Sequence, residues 1–407
     1  MTIQDQPILD EKTIRIVKST VPVLEVHGES ITSRFYQRLF ENHPELKNIF
    51  NQTNQQKGKQ SKALAGAVYA AAVHIDNLEA ILPAVKQIAH KHRSLNILPE
   101  HYPIVGENLL AAIKEVLGDA ATDDIINAWG EAYGVIADVF IQVEVDMYKE
   151  NEEKIGGWKG YRDFNVIKKV KESDVITSFY LKPSDNGSIP FYQAGQYITV
   201  KIEKEGAPYN FLRQYSLSSK SNDNYFRISV KREAGIDGNP DGVVSTYLHD
   251  TVEEGDTLPL SAPSGDFFLV ESEKPLVLIS GGVGLTPLVS MLETAVAEQP
   301  NRPIYFIHAT QNSNVHGLRD AVKDITDKFS NVSSYVVYDN PLEDDQFDKE
   351  GYVDLPWLQS IIPTNQASFY FCGPEGFMRV INRALKEWNV EEEEIHFEFF
   401  GPAGSLE

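Results

Sequence analysis

Three side chains place polar chemistry on helical stripes that are otherwise apolar. In the stretch 81–94, Val85, Ile88, Ala89 and His92 recur at i, i+3, i+4 and i+7, so His92 continues an apolar helix face. His90 points roughly 200° away from it and falls with Lys86 and Lys91 on the face expected to meet water. An inward imidazole must satisfy its ring nitrogens, with a metal ion or with a backbone carbonyl, and the spacing alone leaves both open. Gln60 heads a second stripe with Leu64, Ala67, Val68 and Ala71; a buried amide is costly unless hydrogen-bonded. Glu144 interrupts a third stripe of Trp129, Tyr133, Ile136, Phe140 and Met147. A carboxylate there needs a partner, and a histidine N–H is the natural one. Tyr36 and Tyr102, taken singly, read as ordinary core tyrosines.

Further along, the chemistry changes. Arg213-Gln214-Tyr215-Ser216, with Tyr197 upstream in Ala194-Gly195-Gln196-Tyr197, offers a guanidinium that can fork onto a pyrophosphate, a flat ring and a hydroxyl suited to a flavin. Gly242-Val243-Val244-Ser245 opens a helix whose first N–H groups suit the same pyrophosphate. The apolar run 275–280 feeds Gly281-Gly282-Val283-Gly284-Leu285-Thr286-Pro287, where glycines let backbone N–H groups approach a phosphate at a helix start. The full Gly-x-Gly-x-x-Gly pattern is absent. Cys372-Gly373-Pro374 marks another strand-to-helix turn, and Cys372 reads equally as a plain buried residue.

Three kinds of patterning position these groups. Residues 10–148 carry helical periods, with a proline corner at His43-Pro44 and a polar loop at 51–59. A charged, then glycine-rich stretch at 150–160 reads as a linker. Short alternating runs at 164–170, 175–181, 197–202, 226–230 and 257–261 read as a small antiparallel barrel, 161–270. From 271 to 407, strands at 275–280, 304–308, 334–337 and 369–372 alternate with helices at 318–329 and 377–388, which implies an open, mostly parallel sheet. The acidic run 391–394 reads as a solvated helix start, and 403–407 carries no signal.

With 407 residues there is room for two to four domains, at about 100–200 residues each. A formal net charge of -22 argues against nucleic acid or an anionic membrane as partner. One cysteine excludes an intrachain disulfide and fits a reducing cytoplasm. The start has no basic-then-apolar signal pattern, and 63–73 is too short to span a bilayer, so a soluble chain without membrane association is expected.

Together, Phe35-Tyr36-Gln37-Arg38-Leu39-Phe40, the run from Asn42 to Asn51, Gln60-Ser61-Lys62-Ala63-Leu64 and His92-Arg93-Ser94 resemble the globin domain of the flavohaemoglobins. The Arg213–Ser216 motif and the Gly-x-Gly-x-Thr-Pro turn resemble ferredoxin-NADP-reductase-like FAD and NAD(P) domains, so the resemblance covers essentially the whole chain. It implies an all-α globin domain (1–149), an FAD-binding β-barrel and an α/β NAD(P)H domain. It also implies non-covalent haem b, since no Cys-x-x-Cys-His is present.

By the resemblance, His92 is the proximal iron ligand, oriented by Tyr102 and Glu144. Tyr36, Gln60 and Leu64 line the distal pocket, and Phe50 packs on the haem. FAD falls to Tyr197, Arg213, Gln214, Tyr215, Ser216, Val244 and Ser245. The nicotinamide nucleotide falls to Gly282, Val283, Gly284, Leu285, Thr286 and Pro287, with its ring at Cys372, Gly373 and Pro374. Glu398 and Phe400 close over the flavin, and Lys91 and Glu398 adjust cofactor potentials.

The implied activity is nitric oxide dioxygenation in defence against nitric oxide, with O2 and nitric oxide as small-molecule partners. Lipid or azole ligands are further candidates for the distal pocket, because Ala67 and Ala71 are small. An oxygen carrier or sensor with a self-reducing module, and a flavin reductase with a regulatory globin, are the alternatives. The loop 310–319 holds His316 and Arg319 but no code that separates NADH from NADPH.

Overall fold

The computed structural model describes residues 9–50, 58–235, 240–401 and 406, so most of the expected 51–59 loop lies outside the described residues. Among the described residues, six α-helices come first: α1 (Glu11–Ser19), α2 (Val21–Asn42), α3 (Lys59–Val73), α4 (Leu82–Ser94), α5 (His101–Leu117) and α6 (Asp123–Glu153). Local chemistry sets their starts. Asp10 caps α1 by accepting from the Thr13 N–H at 2.6 Å, and Thr122 caps α6. Ile31, Phe35 and Leu39 of α2 meet Trp129 and Ala132 of α6 in one core, as the 3.6-residue period requires. Helix α6 runs on to Glu153, and Asn151 is buried with its amide donating to the Trp158 carbonyl at 2.8 Å.

The next six strands are β1 (Tyr161–Lys171), β2 (Ile176–Pro183), β3 (Tyr197–Ile202), β4 (Phe211–Ser216), β5 (Phe226–Lys231) and, after helix α7 (Val243–Asp250), β6 (Thr257–Ser261). They pair antiparallel in the order β4-β3-β6-β1-β2-β5, and a bridge between Leu217 and Ile228 joins the two ends. Inward residues such as Phe164, Phe179, Ile198 and Phe226 fill the interior.

The last unit is a six-stranded parallel sheet in the order β10-β9-β8-β7-β11-β12. It contains β7 (Leu276–Gly281), α8 (Leu285–Glu298), β8 (Ile304–Thr310), α9 (Arg319–Lys328), β9 (Val332–Tyr338), β10 (Lys349–Glu350), α10 (Leu355–Ile361), β11 (Ser368–Cys372), α11 (Glu375–Glu387) and β12 (Ile395–Glu398). Alternation along β7 divides it between two cores: Leu276 and Leu278 pack with α8, while Val277 and Ile279 join Phe369 and Leu385 on the other face.

Two expectations change here. The acidic run begins no α-helix: Glu392–Glu394 is a short 3-10 turn into β12, because Glu391 and Glu394 accept from Lys274 at 3.2 and 2.8 Å. Leu406, in the tail that carried no signal, is buried in the core beside Leu385. The barrel and the parallel sheet are joined by polar contacts around α8. Glu293 accepts from Arg227 at 2.9 Å and from the Lys220 N–H at 2.7 Å, and Ser290 donates to the Ser219 carbonyl at 2.7 Å.

Candidate functional site

Helices α4, α5 and α6 bring His92, Tyr102 and Glu144 together. The His92 Nδ1 lies 2.7 Å from Glu144 Oε1 and 3.3 Å from the Tyr102 hydroxyl. That hydroxyl donates to the same carboxylate oxygen at 2.6 Å. Glu144 is only 2% exposed, so its charge is justified by these two donors. Burial, reinforced by the Glu144 charge, holds the Tyr102 phenol well above its ordinary pKa. Phe140, one turn before Glu144, packs its ring 6.0 Å from His92 and 6.4 Å from Tyr102. A carboxylate at Nδ1 keeps the proton there and leaves the Nε2 lone pair for a metal.

Nothing among the described residues hydrogen-bonds His92 Nε2. No group of three or more His, Cys, Asp or Glu among them could hold an ion unaided. One imidazole with an available nitrogen therefore suits an iron that arrives with its own macrocycle, and the donor set fits haem.

Across the same helical core, Tyr36 is 7% exposed and hydrogen-bonded to the Gln60 side chain, which sits in the first turn of α3. Burial raises the Tyr36 pKa, so it remains a neutral donor. Phe35, Phe40 and Phe50 surround its ring at centroid distances of 4.8, 6.0 and 5.7 Å. Leu64 packs on the same core.

On the face of α4 expected to meet water, Lys86 is exposed but His90 and Lys91 are partly covered. His90 is half-buried, its Nδ1 is buried without a partner among the described residues, and desolvation lowers its pKa. Lys91 donates to the Gly401 carbonyl, and burial lowers its pKa against the pull of Glu398. A helical wheel shows which residues share a face, but not that a second domain lies against it.

The barrel meets the end of the same helix. Arg93 Nη2 donates to the Pro263 carbonyl at 2.6 Å and to Ser264 Oγ at 2.8 Å. Ser94, 1% exposed, donates to the Lys91 carbonyl at 2.8 Å and accepts from Gln214 Nε2 at 2.7 Å, and it also hydrogen-bonds Tyr197. One helical turn thus holds the candidate iron ligand and touches two candidate flavin residues. Arg93 and Ser94 stood in the sequence motif, but nothing in their types revealed these contacts. Lys59, beside Gln60, meets Glu375 at 3.5 Å, a link to the α/β unit equally invisible in the sequence.

Within the barrel, Tyr197 on β3 pairs with Ser216 on β4, and Tyr215 packs on the barrel core. Arg213 Nη1 donates to the Leu212 carbonyl at 2.7 Å, and burial lowers its pKa. Ser245, near the start of α7, donates to the Gly242 carbonyl at 3.1 Å and accepts from the Glu233 N–H at 3.2 Å; Val244 is buried beneath it.

In the α/β unit, the turns after β7 and β11 touch. A Cβ on Gly284 would lie 2.2 Å from the Cys372 carbonyl oxygen, and one on Gly373 would lie 3.0 Å from Gly281 Cα. Gly282 adopts φ +53°, a conformation that glycine tolerates best. Val283 accepts from the Thr286 hydroxyl at 3.1 Å, while Leu285 and Pro287 are buried in the first turn of α8. This close-backbone cradle at a helix start fits a dinucleotide phosphate.

Cys372 is buried, its thiol raised by burial, and it donates to the Glu398 carbonyl at 3.4 Å. Pro374 leads into α11. Burial pushes Glu398 up to about 7 against the opposing charge of Lys91. Phe400 remains 51% exposed. His316 is buried rather than presented by its loop: its ring lies 4.4 Å from that of His308, and its Nδ1 lies 2.9 Å from the Tyr338 hydroxyl.

Three family profiles match the chain: Globin over 33–140, Oxidoreductase FAD-binding domain over 163–269 and Oxidoreductase NAD-binding domain over 278–383. A flavohemoprotein of Bacillus cereus is 58% identical over 405 residues, covering 98% of this chain and 100% of its own. Another, of Oceanobacillus iheyensis, is 60% identical over 97% of each chain. Among solved structures, the flavohemoglobin of Malassezia yamatoensis with bound FAD and heme superposes with a TM-score of 0.83 at 27% identity, over 97% of this chain and 100% of that one. The FAD/NAD binding domain of a nitric oxide dioxygenase from Vibrio cholerae gives 0.55 at 41% identity, over 59% of this chain and 99% of that one.

Proposed function

The chain belongs to the flavohemoprotein family, and from that premise we propose that it is an NAD(P)H-dependent nitric oxide dioxygenase. We assign haem to 1–149, FAD to 161–270 and the nicotinamide nucleotide to 271–407, with 150–160 as the junction. When bound, haem would supply oxygen binding and the conversion of nitric oxide to nitrate, and FAD would pass on the electron pair of one hydride as the single electrons that iron accepts.

The observation that carries this reading is the 2.7 Å contact between Glu144 and His92 Nδ1. A carboxylate taking that N–H makes Nε2 a stronger donor, and an electron-rich iron suits oxygen activation better than carriage. On the other side, the Tyr36 hydroxyl and Gln60 amide are neutral donors able to stabilise negative charge that develops on a bound gas. Phe50, its ring 5.7 Å from that of Tyr36, and Leu64 would line that side, and the pocket would receive O2 and nitric oxide. The small Ala67 and Ala71 would leave space there for a lipid tail or an azole as a further guest.

Tyr197, Arg213, Gln214, Tyr215, Ser216, Val244 and Ser245 would hold FAD, with Glu398 and Phe400 beside it. The cradle Gly282–Pro287 with Cys372, Gly373 and Pro374 would hold the nucleotide. Lys91 and Glu398, each shifted by burial toward its neutral form, would set the charge between flavin and haem. No helix among the described residues is long and apolar enough to cross a membrane.

The test is NADH oxidation by the holoenzyme with O2 alone and with O2 plus nitric oxide. Acceleration by nitric oxide with matching nitrate is the expected result. No acceleration would favour an oxygen carrier or sensor. Physiological activity surviving His92→Ala would favour a flavin reductase.

A further inference from the structure

We infer that Tyr133 is a positioning residue for the proximal hydrogen-bond set: it holds Tyr102 by the backbone while Glu144 holds it by the hydroxyl. The inference rests on the roles proposed for Tyr102 and Glu144, and extends them to a side chain that touches neither His92 nor Glu144 in the contacts described. The Tyr133 hydroxyl donates to the Tyr102 carbonyl at 2.6 Å. Burial raises the pKa of this phenol and keeps it protonated.

Helix geometry makes this a two-point grip. Tyr133 and Glu144 are eleven residues apart on α6, three turns and about 20° around the axis. Both therefore leave one stripe of one helix and reach the same residue of α5. Phe140 lies between them on that stripe and packs on the rings of both Tyr102 and His92. A residue fixed at its carbonyl and its hydroxyl by a single helix cannot slide along that helix without breaking one of the bonds.

The fit on α5 is specific. Gly106 lies one turn after Tyr102, and a Cβ there would sit 2.5 Å from Tyr133 Cε1 and 2.8 Å from Cδ1. The Tyr133 ring occupies the space that any other residue at 106 would fill. A helix carbonyl already accepts from the N–H four residues on, so this second bond uses its remaining lone pair and meets no backbone need. Its effect is to set the height and rotation of Tyr102, on which the 2.6 Å bond to Glu144 depends.

The experiment is a double-mutant cycle on the haem- and FAD-loaded full-length enzyme, with Tyr102→Phe, Tyr133→Phe and the pair. The readouts are the iron–histidine stretching frequency of the reduced protein and the haem midpoint potential, which a merely packing tyrosine would leave unchanged. Tyr133→Phe keeps the ring and loses only the hydroxyl. It should shift both readouts in the same direction as Tyr102→Phe, by less, and add no shift once Tyr102 is already Phe. Gly106→Ala, which displaces the ring, should shift them in that direction too. A Tyr133→Phe variant with wild-type values while Tyr102→Phe is shifted would overturn the inference alone. Equal Tyr133→Phe shifts in both backgrounds would do the same, because the effect would then bypass Tyr102. Wild-type values in Tyr102→Phe itself would instead remove the proximal reading on which the inference stands.

Discussion

On the His92 side of the helical core, three helices set an imidazole, a phenol and a carboxylate within 3.3 Å of one another, with the carboxylate almost fully buried. On the Tyr36 side, a phenol and an amide share a hydrogen bond among Phe35, Phe40 and Phe50. One side offers a buried negative charge, the other neutral donors. With haem bound at His92, the Glu144 charge would make the imidazole a stronger donor, and Tyr36 and Gln60 would stabilise negative charge on a bound gas. Exchanged, the same groups would hold density back and repel a polarised ligand. The chemistry therefore lies in the asymmetry of the two sides.

The largest effect comes from removing the group that joins them. His92→Ala should abolish the Soret band while flavin absorbance and NADH-driven reduction of a dye persist; a retained Soret band would refute the ligand assignment. On the neutral side, Tyr36→Phe should speed O2 release about tenfold, the effect of one hydrogen bond worth ~1.4 kcal/mol. Flash photolysis reads that rate, and an unaltered one would dissolve the contrast.

Away from this core, buried histidines should not tolerate charge. Burial lowers His316 from 6.5 to about 4, and His308 falls well below its ordinary value. The unfolded chain takes these protons near 6.5, so the stability held by the neutral pair is present above that pH and lost as pH falls toward 4. Thermal unfolding of the α/β unit should show this acid loss, and His316→Asn should flatten it. The smallest effect is at the seam: Ser94→Ala should slow flavin-to-haem electron transfer severalfold in stopped flow, with flavin reduction unchanged.

How far the sequence reached follows from what a periodicity can report. Stripes on α3 and α6 pointed to Gln60 and Glu144, because a polar residue on an apolar face is visible from spacing alone, whereas Tyr36, an ordinary core tyrosine by itself, stood out only through the family resemblance. The relatives' full-length similarity supports the family and the three units in order. The same wheel sent His90 and Lys91 to water, since it contains no trace of the later units, which bring Gly401 and Glu398 to Lys91 and Asp266 near His90. Ser94 escaped for the same reason: its partners, Gln214 and Tyr197, are more than a hundred residues away. Tyr133 was read only as one more apolar member of its stripe, and its hydroxyl acquires meaning only beside Tyr102 and Gly106.

The most direct test of the buried charge is Glu144→Gln, which keeps shape and hydrogen-bonding reach but removes the carboxylate. With the Soret and flavin bands intact, the rate of NADH oxidation driven by nitric oxide and O2 should fall about tenfold or more, as when a group orienting a metal ligand is lost. Turnover equal to wild type, with haem fully bound, would contradict the account.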